Sequence, residues 1–121
     1  MSRVVHFEVM AEDPERAAAF YSKVFGWEIN KWDGPEDYWL VTTGADGTPG
    51  INGGIGKSQG EALAVNTIDV ESIDEFVEKV TANGGQVVVP KMAIPSVGYQ
   101  LYCKDTEGVL FGLHQIDPSA A

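Results

Sequence analysis

Cysteine, histidine and basic residues are all scarce in this chain of 121 residues. Cys103 is the only cysteine, so no disulfide can form within the chain and no cluster of thiolates can hold a metal. Eight Lys and Arg residues are outnumbered by eighteen Asp and Glu residues, which gives a formal net charge of -10. Binding to a phosphate backbone requires clustered basic side chains, so we expect no nucleic-acid partner.

Long hydrophobic runs are also missing. No apolar run approaches the roughly 20 residues that a membrane-spanning helix needs, and the N-terminus lacks the basic and apolar segments of a secretory signal. The hydrophobic content of 44% is typical of a globular protein. We therefore expect a cytoplasmic protein with no membrane partner, folded as a single domain over residues 1–121.

The first half of the chain predicts one strand, one helix and three further strands. Residues 4–11 alternate in side-chain character, as in a strand with two different faces. Asp13 is the predicted helix N-cap, and Gly26 ends the helix. Apolar residues with helical spacing predict its buried face: Ala17, Phe20, Tyr21 and Val24. The three further strands are predicted at 27–31, 38–43 and 51–56.

The second half repeats this order of elements. A strand is predicted at 63–70, followed by a helix that begins at a capping box formed by Ser72 and Glu75. The predicted buried face of that helix is Ile73, Phe76, Val77 and Val80. Strands are predicted to begin at Gln86 and to span 99–104 and 109–116. A loop is predicted at 90–98, and we expect a frayed tail at 117–121.

Corresponding residues of the two halves are separated by a constant number of positions in the sequence. The same number of residues separates the predicted caps, Asp13 and Ser72, and the closing glycines, Gly26 and Gly85. Three closely spaced strands after each helix favour hairpins over a doubly wound parallel sheet. The sequence therefore predicts an α+β fold of two βαβββ modules, at about 4–56 and 63–116.

Four segments carry a resemblance to a known family. They are the D-P-x-R-x-x-x-F-Y-x-x-x-F-G-W run at 13–27, DVESIDEF at 69–76, NGG at 83–85 and DTEGVLFGL at 105–113. In this order they resemble the vicinal oxygen chelate superfamily, which includes glyoxalase I, bleomycin-resistance proteins and extradiol dioxygenases. The resemblance covers most of the chain. It implies paired βαβββ modules, with curved and largely antiparallel sheets around a cavity, and a homodimer.

Metal-dependent members of that superfamily hold a divalent ion through the first and last strands of each module, usually with His, Glu or Gln. The resemblance places these four positions at His6, Gly53, Val65 and Gly112. If the last-strand position of the first module is Gly54 instead of Gly53, its side chain still offers no metal ligand. Val and Gly side chains offer no donor, so the resemblance implies a member with a deficient metal site and no cofactor.

His6 has two interpretations. In the first it is hydrogen-bonded in its strand or lines a pocket without metal. In the second, the alternation of a strand places Glu8 on the same face, and His114 faces the cavity if Gly112 does. These residues then form a displaced metal site of two histidines and one carboxylate, or an acid/base pair without metal. Side chains two apart on a strand are about 6.8 Å apart, so ligation of one divalent metal ion by both His6 and Glu8 would be strained.

Aromatic residues provide surface for a flat ligand, and Trp39 and Tyr102 are the predicted lining residues because each lies in the third strand of its module. No Ser/His/Asp triad can be built from two histidines without a nucleophile elbow, and no catalytic residue is assigned. The predicted pocket residues are His6, Glu8, Gly53, Val65, Thr67, Gly112, His114, Trp39 and Tyr102.

The leading functional hypothesis is binding of a small, partly apolar molecule, as in the bleomycin-resistance type of the resembled family. One alternative is a metal-dependent, glyoxalase-like lyase, isomerase or dioxygenase that uses His6 with unusual ligands. The other alternative is a structural or interaction module in which side chains fill the cavity.

Overall fold

The structure, a computed structural model, describes residues 2–121 and confirms the α+β class. The described chain forms eight strands and two helices. In chain order these are β1 (Val4–Ala11), α1 (Pro14–Phe25), β2 (Glu28–Lys31), β3 (Tyr38–Thr42), β4 (Gly53–Lys57), β5 (Leu63–Asp69), α2 (Ile73–Ala82), β6 (Gln86–Ile94), β7 (Gly98–Lys104) and β8 (Leu110–Ile116). Within residues 2–121, neither helix is long and apolar enough to cross a membrane.

The chain divides into two compact units. The N-terminal unit is His6–Val65, and the C-terminal unit comprises residues 2–5 together with Asn66–Ala121. The strand order is β2-β3-β4-β1 in the first and β5-β8-β7-β6 in the second. In each, the first strand pairs in parallel with the last, while the other neighbours are antiparallel. Each unit thus has the βαβββ order that the sequence predicts.

Both helices begin at the predicted caps. The Asp13 carboxylate accepts a hydrogen bond from the Arg16 backbone N–H at 3.1 Å, and the Ser72 hydroxyl accepts one from that of Glu75 at 3.3 Å. Gly26 ends α1 in the left-handed conformation, with φ 73°. A residue with a Cβ would be strained there, which explains why glycine ends the helix.

The core of the C-terminal unit lies between α2 and one face of its strands. Ile73 is fully buried there with Leu101, Cys103 and Leu113. Phe76, Val77 and Val80 pack against this cluster, so the predicted buried face of α2 is confirmed. Burial also raises the pKa of the Cys103 thiol, because the thiolate would lose its hydration.

The prediction for the buried face of α1 is wrong at two positions. Phe20 and Val24 are each 55% exposed, and no residue of α1 is fully buried. The half-buried positions Ala17, Ala18 and Tyr21 instead define the inner side of the helix. Tyr21 is stacked on Trp27, with ring centroids 5.0 Å apart, and this contact sets the rotation of the helix. Spacing alone could not distinguish the two overlapping apolar stripes.

The loop predicted at 90–98 is mostly strand, because β6 continues to Ile94. Pro90 lies within β6, where proline removes one N–H donor. The strand accommodates it because β6 is at the end of the strand order and its pairing with β7 shifts register between Val89 and Met92.

The expectation of a frayed tail at 117–121 is also wrong. The Asp117 N–H donates to the Val97 carbonyl, and the Ser96 N–H donates to the Ala120 carbonyl, both at 3.0 Å. Ala120 is only 5% exposed. Hydrogen bonds from Ser119 hold the pKa of Asp117 below its usual value. The last residues are therefore fixed against the turn between β6 and β7.

Candidate functional site

One strand face of the N-terminal unit carries His6 and Glu8. The strand register aligns Glu8 with Gly54, and Gly54 with Leu40 of β3. Since paired residues share a face, this side of the unit presents two polar side chains from β1 above the glycines of β4. Glu8 is buried there, with 7% exposure.

Tyr38 bridges the glycines and His6. Its hydroxyl is 2.9 Å from the His6 Nε2 atom, and the two rings are stacked with centroids 6.5 Å apart. A Cβ at Gly54 would overlap the Tyr38 hydroxyl end, whereas at Gly56 it would be 3.4 Å from the same ring. The glycine at position 54 therefore permits the close approach that places the tyrosine beside the histidine.

Two predicted pocket residues of this unit lie on its other face. Gly53 is aligned with Phe7, and Trp39 is aligned with Ile55, which is fully buried. A Cβ at Gly53 would be 2.6 Å from the Phe7 ring. Lys31 lies over the Trp39 ring, at 5.6 Å from its centroid. The structure thus places Gly54 and Tyr38, and not Gly53 and Trp39, on the face of His6.

The C-terminal unit has a corresponding polar face, made of two rows across β5, β8 and β7. The first row is Thr67, Gly112 and Tyr102, and the second is Asp69, His114 and Gln100. Leu101, Cys103 and Leu113 alternate with these residues along β7 and β8 and contribute to the core with α2. The two rows therefore lie on the side of these strands that faces away from the helix.

His114 is held by Gln100. The His114 Nδ1 atom is 2.9 Å from the Gln100 Oε1 atom. An amide oxygen can only accept, so Nδ1 carries the proton and Nε2 retains its lone pair. Burial lowers the pKa of His114, and the nearby Asp69 carboxylate partly opposes that effect. A neutral imidazole is the expected form at neutral pH.

Thr67 and Gln100 converge on Gly112. Both side chains are buried, with 2% and 8% exposure. A Cβ at Gly112 would be 2.8 Å from the Gln100 Nε2 atom, 3.0 Å from the Thr67 Oγ1 atom and 3.4 Å from the Tyr102 ring. Because glycine has no side chain, Gln100, Thr67 and Tyr102 can all approach the backbone at this position. The Thr67 hydroxyl is fully buried and has no hydrogen-bond partner among residues 2–121.

The residues at the four family metal positions do not fit a metal ion. Val65 is buried and has only carbon atoms in its side chain, and Gly112 and either Gly53 or Gly54 offer no side-chain donor. Within residues 2–121, no three His, Cys, Asp or Glu side chains are grouped so that they could hold a metal ion. His6 is therefore the one family ligand position that carries a donor side chain.

Sequence reasoning missed Gln100 and the role of Tyr38. Gln100 lies two residues before Tyr102 in β7, so strand alternation could have placed it on the same face. Tyr38 could be distinguished from Trp39 only through the register of β3 with β4, which the sequence does not reveal. The assignment of pocket residues otherwise stays a prediction.

Comparisons with known proteins agree with this architecture. Residues 3–113 match the family model of the glyoxalase/bleomycin resistance protein/dioxygenase superfamily. The chain belongs to this superfamily. That membership confirms the family that the four sequence segments indicate.

Individual relatives are more distant. CFP32 of Mycobacterium bovis and of Mycobacterium tuberculosis, named as a candidate glyoxylase, is 29% identical in an alignment of 113 residues that covers 89% of this chain. The chain spans 43% of the length of that relative.

Two solved structures show the same fold. The hypothetical protein BH1468 of Bacillus halodurans C-125 has a TM-score of 0.73 at 14% identity, covering 99% of this chain and 98% of its own. Methylmalonyl-CoA epimerase of Mycobacterium tuberculosis has a TM-score of 0.66 at 14% identity, with coverages of 94% and 87%. At these identities the likeness concerns the fold alone.

Proposed function

We propose that this superfamily member binds a small organic molecule without a resident divalent metal. The observation that carries the proposal is the presence of buried polar side chains on two strand faces, the one that carries His6 and Glu8 and the one made of the two rows of the C-terminal unit. Glu8, Thr67 and Gln100 are the buried polar side chains of residues 2–121, and all three lie on those faces beside glycines. Burial of a polar group without a partner is costly, so the Thr67 hydroxyl, which has no hydrogen-bond partner within residues 2–121, favours a ligand that supplies one.

The superfamily description and the donor chemistry support a binder over a metal enzyme. The family description includes bleomycin resistance proteins, for which sequestration of a ligand would need no metal and no catalytic group. Val65 and Gly112 occupy family ligand positions without a donor atom. A homodimer and a cytoplasmic location remain predictions from the sequence.

The proposal is tested by thermal unfolding of purified protein with benzamide, benzyl alcohol, catechol and benzoate, before and after dialysis against EDTA. A ligand at 100 times its dissociation constant stabilises the folded state by about 2.7 kcal/mol. We expect at least one compound to raise the unfolding temperature in a concentration-dependent manner, equally with and without EDTA treatment.

The controls distinguish the alternatives. Stoichiometric Ni, Zn, Mn or Fe in the purified protein, lost in His6→Ala, would contradict the proposal and favour a metal-dependent lyase, isomerase or dioxygenase. An absence of both metal and any ligand-induced shift would favour a structural or interaction module.

A further inference from the structure

The unpartnered hydroxyl of Thr67 is the feature of the C-terminal unit that its own packing does not explain. The side chain is 2% exposed, and its Oγ1 atom is fully buried without a hydrogen bond to any part of the chain that the structure describes. Buried hydroxyls in native proteins nearly always have a partner, since an unmet hydrogen bond destabilises the fold. Valine would fill the same volume without this cost. A hydroxyl at this position is therefore better explained by a bound molecule that supplies its partner than by packing.

A second donor lies at the same point. The Gln100 Oε1 atom accepts from His114, which fixes the orientation of the amide and leaves the Nε2 group as a donor directed toward Gly112. Thr67 Oγ1 and Gln100 Nε2 lie 3.0 and 2.8 Å from the point that a Cβ on Gly112 would take, so both groups border the same side of this glycine. Two donors that converge on one point match an oxygen acceptor.

The charges on this face favour a neutral oxygen atom of the ligand over a negatively charged one. No Lys or Arg belongs to the two rows of this face, and the Asp69 carboxylate is aligned with His114. A carboxylate or phosphate would lie near that negative charge with no Lys or Arg in the two rows to balance it. The His114 Nε2 lone pair can accept a hydrogen bond from an N–H or O–H group of the ligand. The Tyr102 ring beside Gly112 offers a surface for an aromatic group.

We propose that Thr67, Gln100 and His114 bind the carbonyl oxygen and adjacent N–H group of a neutral aromatic amide or related carbonyl compound. Thr67 and Gln100 donate to the carbonyl oxygen, and His114 accepts from the N–H group. This assignment rests on the proposed function, because it names the ligand class that the small-molecule site takes. None of the three residues occupies a family metal position.

The experiment compares benzamide with benzoate, which has the same ring and a negative charge in place of the neutral amide. Binding is followed by calorimetry and by the ¹⁵N-resolved side-chain amide resonances of Gln100. We expect benzamide to bind at least ten-fold more tightly than benzoate and to shift the Gln100 side-chain resonances. Equal binding of the two compounds would overturn the assignment.

Isosteric variants test each donor. Thr67→Val should weaken benzamide binding at least ten-fold while raising the unfolding temperature of the ligand-free protein, because it removes the unmet hydroxyl. Thr67→Ser retains the hydroxyl and should retain binding. Gln100→Glu keeps the acceptor for His114 but removes the Nε2 donor, and should weaken benzamide binding at least ten-fold. Unchanged benzamide affinity in Thr67→Val would overturn the assignment, whatever its stability.

The experiments distinguish a failure of the ligand assignment from a failure of the proposed function. If benzamide does not bind but another compound of the panel stabilises the protein, the ligand class is wrong and the proposed function stands. If no compound binds, both fail.

Discussion

Glycine at position 54 of β4 leaves the space that the Tyr38 side chain needs to reach His6 on β1. The hydroxyl end of Tyr38 fills the space that a Cβ at this position would take, and the same hydroxyl contacts His6 at 2.9 Å. Gly56 lies two residues further along β4 under the same ring, where a Cβ would be in ordinary contact at 3.4 Å. Gly54 and Gly56 thus differ, because only at Gly54 would a larger residue displace the Tyr38 side chain.

We expect Gly54→Ala to destabilise the protein by about 1–3 kcal/mol, because the added methyl group must displace the tyrosine. Gly56→Ala is the matched control and should change the free energy of unfolding by less than about 0.5 kcal/mol. Urea denaturation of both variants provides the measurement. Equal effects of the two substitutions would show that Tyr38 does not need the space at Gly54.

The two helices differ in how they contact their units, although both have amphipathic sequences and predicted caps. α2 places Phe76 against the buried cluster around Ile73, whereas Phe20 in α1 is 55% exposed. Phe20 contacts Tyr21 edge-on, at 5.2 Å between ring centroids. Identical residue types therefore have different energetic roles in corresponding helices.

We expect Phe76→Ala to cost about 2 kcal/mol or more, since it opens a cavity beside the core. Phe20→Ala should cost less than about 1 kcal/mol, because most of the ring is already in water. Thermal or denaturant unfolding distinguishes the two cases. A larger loss for Phe20→Ala would mean that the exposed side of α1 is covered in solution.

The elements show where sequence reasoning succeeds and where it fails. Caps and closing glycines are local signals, so Asp13, Ser72 and Gly26 could be assigned correctly from the sequence. The face of α1 could not, because the Tyr21–Trp27 stack is a tertiary contact. The site was harder to predict for the same reason. Which of Tyr38 and Trp39 contacts His6 depends on strand register, and periodicity does not reveal register.

The charge of the whole molecule opposes its compact state. Eighteen acidic residues and eight basic ones leave a net charge of -10, and the ion pairs formed by Lys31, Lys79 and Lys91 are at the surface. Exposed pairs of this kind contribute little to stability. Repulsion among the remaining carboxylates therefore disfavours folding at low ionic strength.

We expect the unfolding temperature to rise when NaCl is increased from about 10 to about 150 mM, because the screening length falls from about 30 Å to about 8 Å. Sodium sulfate at matched ionic strength separates screening from specific salt effects, since both salts should act alike if screening dominates. A fall in the unfolding temperature with NaCl would show that the surface ion pairs outweigh the repulsion.

Parallel pairing of the first and last strand in each unit has a consequence for how the chain folds as it is synthesised. Phe7 is aligned with Gly53 and Thr67 with Gly112, so each unit begins with a strand whose partner is among the last elements made. Such contacts between residues distant in sequence slow folding, because loop closure must precede pairing. On the ribosome, the edge of β1 that pairs with β4 and the edge of β5 that pairs with β8 stay unpaired until those later strands emerge.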